Sequence, residues 1–152
     1  MKIMLDPGAH IPTRSHADDA GLDLYARETK VIYPLIAEFN GASLEYHLAG
    51  GVMFDTGVHM QIPQGWFGKI ESRSGLNVKH NVVSCGGVID SGFCGSIKVK
   101  LYNLGSEPYM VNEGDRIAQL ILMKHEVEDG FEIVDSLDET ERGESGIGST
   151  GK

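Results

Sequence analysis

Every second position from residue 52 to residue 62 is apolar or small: Val52, Phe54, Thr56, Val58, Met60 and Ile62. A repeat of two gathers these side chains on one face of an extended chain, whereas a helix would scatter them around its circumference. The same period recurs in GLDLYA at 21–26, with Leu22, Leu24 and Ala26 on one side and Asp23 and Tyr25 on the other. Twenty glycines punctuate such short runs throughout the 152 residues. Many short strands between turn signals favour an all-β sandwich or barrel. Strands are expected at 2–5, 21–26, 31–35, 52–62, from Trp66 onward, and at 116–123, the last as a strand buried on both faces. Only SGLNVKH at 74–80 reads as helix, and it is one short piece.

Composition narrows the partners. Hydrophobic residues make up 41% and charged residues 23% of the chain, as in a soluble globular domain, and the length suits a single core. A net charge of -9 leaves no basic stripe to neutralise phosphates in series, which excludes a nucleic-acid coat but not a small phosphorylated ligand. The apolar runs are too short for a membrane span, and the first twelve residues lack a secretory core, so a soluble protein of the cytoplasm is expected, with no membrane partner. Cys85 and Cys94 lack metal spacing and read as reduced thiols. Two segments break the rhythm. Residues 33–51 are weakly patterned and read as a loop or small surface element. Residues 136–152 are acidic, then rich in glycine and serine, and read as a mobile arm beyond a domain at 1–135.

Residues 86–103, GGVIDSGFCGSIKVKLYN, read as a β-hairpin. Val88 and Ile89 end one strand, Asp90, Ser91 and Gly92 supply the turn, and Ile97, Val99 and Leu101 alternate along the second. Its glycines would let a flat ligand approach the backbone, although an ordinary glycine-rich hairpin explains the same residues. Arg73-Ser74-Gly75 joins a guanidinium, a hydroxyl and free backbone N–H groups, which suits a phosphate. The plainer alternative is a helix capped by Ser74. In GDRIAQL at 114–120, alternation puts Asp115, Ile117 and Gln119 on one side and turns Arg116 away from Gln119. Arg116 is then an ion-paired structural residue and Gln119 a phosphate donor. RGESGIGST at 142–150 could wrap a polyphosphate or be a plain polar terminus.

These segments recur in the order of a known family. Ala20-Gly21-Leu22-Asp23-Leu24-Tyr25-Ala26, then Arg73-Ser74-Gly75-Leu76 with Lys79-His80, then Gly87-Val88-Ile89-Asp90 through Gly95, then Gly114-Asp115-Arg116-Ile117-Ala118-Gln119, and finally Arg142-Gly143 through Gly148-Ser149-Thr150-Gly151 match five motifs. The chain resembles the homotrimeric dUTP pyrophosphatases (dUTPases). That resemblance implies an all-β, jelly-roll-like β-barrel of the β-clip kind with a flexible C-terminal arm, working as a homotrimer whose sites are shared between subunits. The implied reaction is hydrolysis of dUTP to dUMP and pyrophosphate with Mg2+.

The resemblance also assigns roles. Asp90 is the general base, and Arg73, Ser74, Gly75, Gln119, Arg142, Ser149 and Thr150 hold phosphates. Ser84, Gly87, Val88, Ile89 and Lys98 surround the uracil with backbone groups. Phe93 lies against the deoxyribose, and Ile147 and Gly148 close the arm over the base. Asp23 reaches Mg2+ through water, the ion being held mainly by the substrate's phosphates. Phe93 stands where the family usually has tyrosine, and Ile147 where it has phenylalanine, which removes aromatic stacking of about 0.5–1.5 kcal/mol from the lid. Residues 33–51 are longer than the family's connection and read as an insertion, open to a protein partner of unknown kind. A virus-encoded origin within a host cell fits the same pattern. Two alternatives are carried: a dCTP deaminase-like enzyme, disfavoured by Asp90-Ser91 where that chemistry needs a glutamate, and a nucleotide-switched binding or signalling protein.

Overall fold

The computed structural model describes residues 1–39, 44–47, 51–127, 130–141 and 143, and for 36–39 and 44–47 the backbone alone. The order of elements is β1 (Lys2–Leu5), β2 (Gly21–Tyr25), β3 (Lys30–Ile32), β4 (Ile36–Phe39), β5 (Leu44–His47), β6 (Val52–Asp55), β7 (Val58–Gln61) and β8 (Trp66–Glu71). There follow α1 (Ser74–His80), β9 (Val82–Cys85), β10 (Val88–Asp90), β11 (Lys98–Asn103), β12 (Tyr109–Val111) and β13 (Arg116–Lys124). The result is the expected all-β, jelly-roll-like barrel with a single short helix among the described residues. Its sheets run β10-β8-β13-β2, β6-β11-β9, β1-β7, β12-β3 and β4-β5. No described helix is long and apolar enough to cross a membrane.

The period-2 run at 52–62 serves two sheets. Gly57 takes φ +67°, a left-handed conformation that glycine adopts without strain, and bends the chain between β6 and β7. Asp55 Oδ1 accepts the Gly57 N–H at 3.0 Å and fixes the bend. The inward face survives it: Phe54, Thr56, Val58, Met60 and Ile62 are all buried. Thr56 is satisfied there, its Oγ1 donating to the Ile97 carbonyl at 2.7 Å. With Leu24, Ile32, Ile97, Leu101, Ile117 and Leu120 these side chains form the core, each large one contributing about 1.5–3 kcal/mol by burial.

Three local expectations are corrected. Residues 86–103 do not close a hairpin, because β10 and β11 enter different sheets. Ile89 lies opposite Gly68 of β8, whereas Lys98 lies opposite Asp55 of β6 and Lys100 opposite Cys85 of β9. Gly68 explains the choice: a Cβ there would meet Leu120 Cδ1 at 2.7 Å and Ile89 Cβ at 3.3 Å, so its bareness lets β10 and the core close in. Gly86 carries the crossing between the sheets, passing so near Ile70 that an added Cβ would sit 2.0 Å from the Ile70 Cβ. No side chain fits there without moving β8.

The second correction concerns β13. A register shift between Arg116 and Ala118 opposite β2 breaks the alternation, as a β-bulge does. Ile117 and Ala118 are consecutively buried, and Arg116 and Gln119 come to the same side. The third is burial on both faces, which holds only around that bulge; Ile121 and Leu122 are half-buried and Met123 is exposed. Within 33–51, the described strands β4 and β5 pair antiparallel, with Ile36 opposite His47 and Phe39 opposite Leu44.

Candidate active site

Two clusters of polar side chains follow from this architecture. The first is an open cleft of about 600 Å³ lined by Val88, Ile89, Asp90, Phe93, Lys98, Asp55, Gly95 and Ser96. The strand β10 ends at Asp90, whose carbonyl accepts the Phe93 N–H at 3.0 Å, closing a turn that leaves the Asp90 carboxyl exposed. The Phe93 ring folds back over Gly95, where a Cβ would meet its Cζ at 2.6 Å. Glycine at 95 thus gives the ring its seat. Behind the cleft, Ser72 Oγ ties β8 to β9 by accepting the Ser84 N–H at 2.8 Å, and Ile70 donates to the Gly87 carbonyl at 3.3 Å.

Five of the expected residues (Val88, Ile89, Asp90, Phe93 and Lys98) therefore meet in one place, with Ser84 and Gly87 on the strand and crossing beside it. Asp55, Gly95 and Ser96 were missed. For Asp55 there was a signal, because Asp-Thr-Gly is the sequence of a side-chain-closed turn. A short hydrogen bond from Ser96 Oγ is the first cause holding the Asp55 carboxyl below the usual carboxylate range. Partial burial opposes it, and the Gly57 N–H, Arg27 and Lys98 assist. Asp55 is therefore a fixed anion, and its contribution to stability is present above the ordinary Asp range and lost as pH falls through its lowered pKa.

The second cluster surrounds Asp23, only 3% exposed. Arg73 Nε donates to Oδ1 at 2.9 Å and Arg116 Nη1 to Oδ2 at 3.2 Å, with longer contacts at 3.5 Å from Gln119 Nε2 to Oδ1 and Ser15 Oγ to Oδ2. A carboxylate offers about four lone-pair sites, and these four donors face them. In this arrangement Asp23 anchors the two guanidinium groups. Ser74 and Gly75 open α1 and are exposed. The helix is capped not by Ser74 but at Arg73, whose side chain makes no capping bond. The first N–H groups of α1 thus receive no capping bond from the side chain at the N-cap. Arg142, Ile147, Gly148, Ser149 and Thr150 lie outside the described residues.

The clusters do not meet within one chain. Asp90 is opposite Phe67 of β8 and Gln119 is opposite Glu71 of the same strand, from either side. Four residues of strand separate them, about 13 Å at roughly 3.3 Å per residue.

A comparison with known proteins identifies the lineage. The dUTPase family model matches residues 8–151. The chain belongs to the dUTPase family. It is 41% identical over 153 residues to the deoxyuridine 5'-triphosphate nucleotidohydrolase of Escherichia phage T5, covering 99% of this chain and 98% of that one. It is 38% identical over 150 residues to the Mus musculus enzyme, covering 99% and 83% respectively. Among solved structures, a mutant dUTPase of Staphylococcus bacteriophage 80alpha with dUpNHpp superposes with a TM-score of 0.84 at 26% identity, covering 99% and 98%. A mutant dUTPase from S. aureus phage phi11, in which a structural Mg(II) ion is coordinated, gives 0.74 at 25% identity, covering 89% and 96%. In this dUTPase-family chain the exposed acid and the aromatic ring share the cleft, and the arginines gather at the other end of β8.

Proposed function

We propose that the protein hydrolyses dUTP to dUMP and pyrophosphate, with Asp90 as the base for a water that attacks the α-phosphorus. One observation carries this reading: in a chain of the dUTPase family, an exposed carboxylate, a seated aromatic ring and strand backbone line a single cleft. Water gives its proton to Asp90 as its oxygen bonds to phosphorus, and the bond to the bridging oxygen of pyrophosphate breaks. Backbone groups near Val88 and Ile89 read the uracil edge, and a polar edge left unpaired is what rejects cytosine. The Phe93 ring packs under the deoxyribose, where a 2′-hydroxyl would clash. Arg73, Gln119 and the N–H groups at Ser74 and Gly75 take the phosphates.

Mg2+ fits this donor set as a guest of the substrate. The described residues hold no group of three or more His, Cys, Asp or Glu able to form a protein cage, and the hard ion accepts phosphate oxygens and waters. When bound it supplies charge neutralisation along the triphosphate. The separation along β8 favours a site shared between copies; in the homotrimer proposed for this family member, the cleft of one copy faces the arginine cluster of another and residues 136–152 of the remaining copy close over the nucleotide. The substrate is a free nucleotide in the cytoplasm, neither nucleic acid nor membrane-bound.

A second reading, nucleotide-gated binding to a protein partner, draws on the β4–β5 pair, whose strands are joined only to each other among the described residues. A dUTPase of Staphylococcus bacteriophage 80alpha, 28% identical with a TM-score of 0.79, is described as controlling transfer of virulence genes by a G protein-like mechanism.

The deciding experiment supplies dUTP, dCTP, dTTP and UTP with Mg2+ and identifies the products. Pyrophosphate from dUTP alone is expected. Ammonia from dCTP would move the assignment to a deaminase, and silence with all four would leave the partner-binding reading.

A further inference from the structure

The loop that carries Phe93 returns to the barrel along β7, and its returning strand is pinned by donors and acceptors that do not belong to the cleft wall. The Ile97 N–H donates to the Val58 carbonyl at 2.8 Å, and the Ile97 carbonyl receives both the N–H and the hydroxyl of Thr56. Nearer the tip the contact is made by a side chain. His59 Nδ1 lies 2.9 Å from the Cys94 carbonyl and Nε2 lies 3.2 Å from Asp6 Oδ1.

Both partners of this ring are acceptors only. A neutral imidazole has one N–H and can satisfy one of them; the imidazolium has two and satisfies both. We infer that His59, clamped as a cation between Asp6 and the Cys94 carbonyl, is a positioning residue for sugar recognition, fixing the peptide between Phe93 and Gly95 and so the pitch of the Phe93 ring. The inference rests on reading the cleft as the nucleotide site. Cys94 separates the ring from the glycine it folds over, so a rotation of the Cys94 peptide would tilt one against the other.

The surroundings favour the charged form. Asp6 follows β1, Asp55 ends β6, and Arg27, after β2, spans them, its Nη1 3.2 Å from Asp6 and its Nη2 3.6 Å from Asp55. Around His59 these make two anions and one cation, with the Cys94 thiol and Ser96 on the loop and Lys98 beyond Asp55. A further cation, Lys2 of β1, lines the same pocket as His59 and Cys94. The Cys94 carbonyl is the largest cause raising the His59 pKa above that of an ordinary imidazole. Partial burial opposes it, and Asp6, by hydrogen bond and charge, and Asp55, by charge, add to the rise. A raised pKa means that the clamp is complete at low pH and opens as pH climbs through the raised value.

The test compares the parent with His59→Ala and His59→Gln, measuring KM and kcat for dUTP and UTP from pH 6 to 9, and dUMP and UMP affinity by calorimetry. In the parent, KM for dUTP rises with pH as His59 loses its proton. In His59→Ala, KM is expected to be about tenfold higher, the effect of one lost charge-assisted hydrogen bond. It is also expected to be flat with pH, with kcat little changed and UTP discriminated less. His59→Gln, which keeps one donor for the Cys94 carbonyl, recovers part of the loss and serves if the alanine variant does not fold. Parent-like KM, pH profile and sugar discrimination in both variants would overturn the clamp alone. A parent that neither binds dUMP nor turns over dUTP would overturn the clamp and the nucleotide reading together.

Discussion

Asp90→Asn is expected to cut the rate of dUTP hydrolysis by about 10²–10⁴-fold, the usual share of a positioned general base, while dUMP binds as it does to the parent. Asparagine has nearly the same shape but cannot accept the proton of the attacking water. The fold is indifferent to the exchange, because Asp90 is exposed and its main-chain carbonyl, not its side chain, closes the turn to Phe93. Single-turnover hydrolysis with excess enzyme, beside calorimetry with dUMP, separates chemistry from binding. A variant within tenfold of the parent rate would remove Asp90 from the base role.

Asp23→Asn strikes stability and phosphate binding together. The amide keeps one acceptor but brings an NH2 group against two guanidiniums, and the buried negative charge that held Arg73 and Arg116 is gone. Losing hydrogen bonds to a charged acceptor costs about 2–3 kcal/mol here, with both arginines still able to reach water. That is a fall in melting temperature of about 5–10 °C for a chain of this size. Arg73, freed from its anchor, no longer presents its fork to the phosphates, and KM for dUTP rises. Extra Mg2+ distinguishes anchor from metal partner. If Asp23 orders the arginines, raising Mg2+ restores nothing; recovery of KM at high Mg2+ would return Asp23 to the metal.

Most of the longer strands were legible because burial imposes its period directly on side chains. The one helix among the described residues has no buried residue and was legible only as a short local piece. Residues 74–80 and the inward face at 52–62 needed no tertiary information. Pairing was not legible in the same way. Asp90-Ser91-Gly92 does turn the chain, but a turn specifies direction, and which strand lies alongside is decided by distant residues such as Gly68, whose missing side chain admits Ile89. The bulge beside Arg116 was hidden for a related reason: alternation assumes an unbroken ladder, and one extra residue reverses every assignment on one side of it. Arg116 thus moved from the far face to the Asp23 carboxylate. The site motifs were readable as an ordered set, whereas Asp6, Arg27, Asp55 and His59 come from four separate segments, and nothing in their spacing marks them as neighbours.

The interval along β8 between the Asp90 and Gln119 positions has a genetic consequence. If the proposed homotrimer shares its sites between copies, a coding defect at Asp90 and another at Arg73 spoil opposite halves of each composite site, and neither variant alone is expected to hydrolyse dUTP. Mixed assemblies containing both products can pair an intact acid from one copy with an intact arginine from the other. Two null alleles are then expected to complement each other, and refolding the two variant proteins together should recover activity that neither shows when refolded by itself.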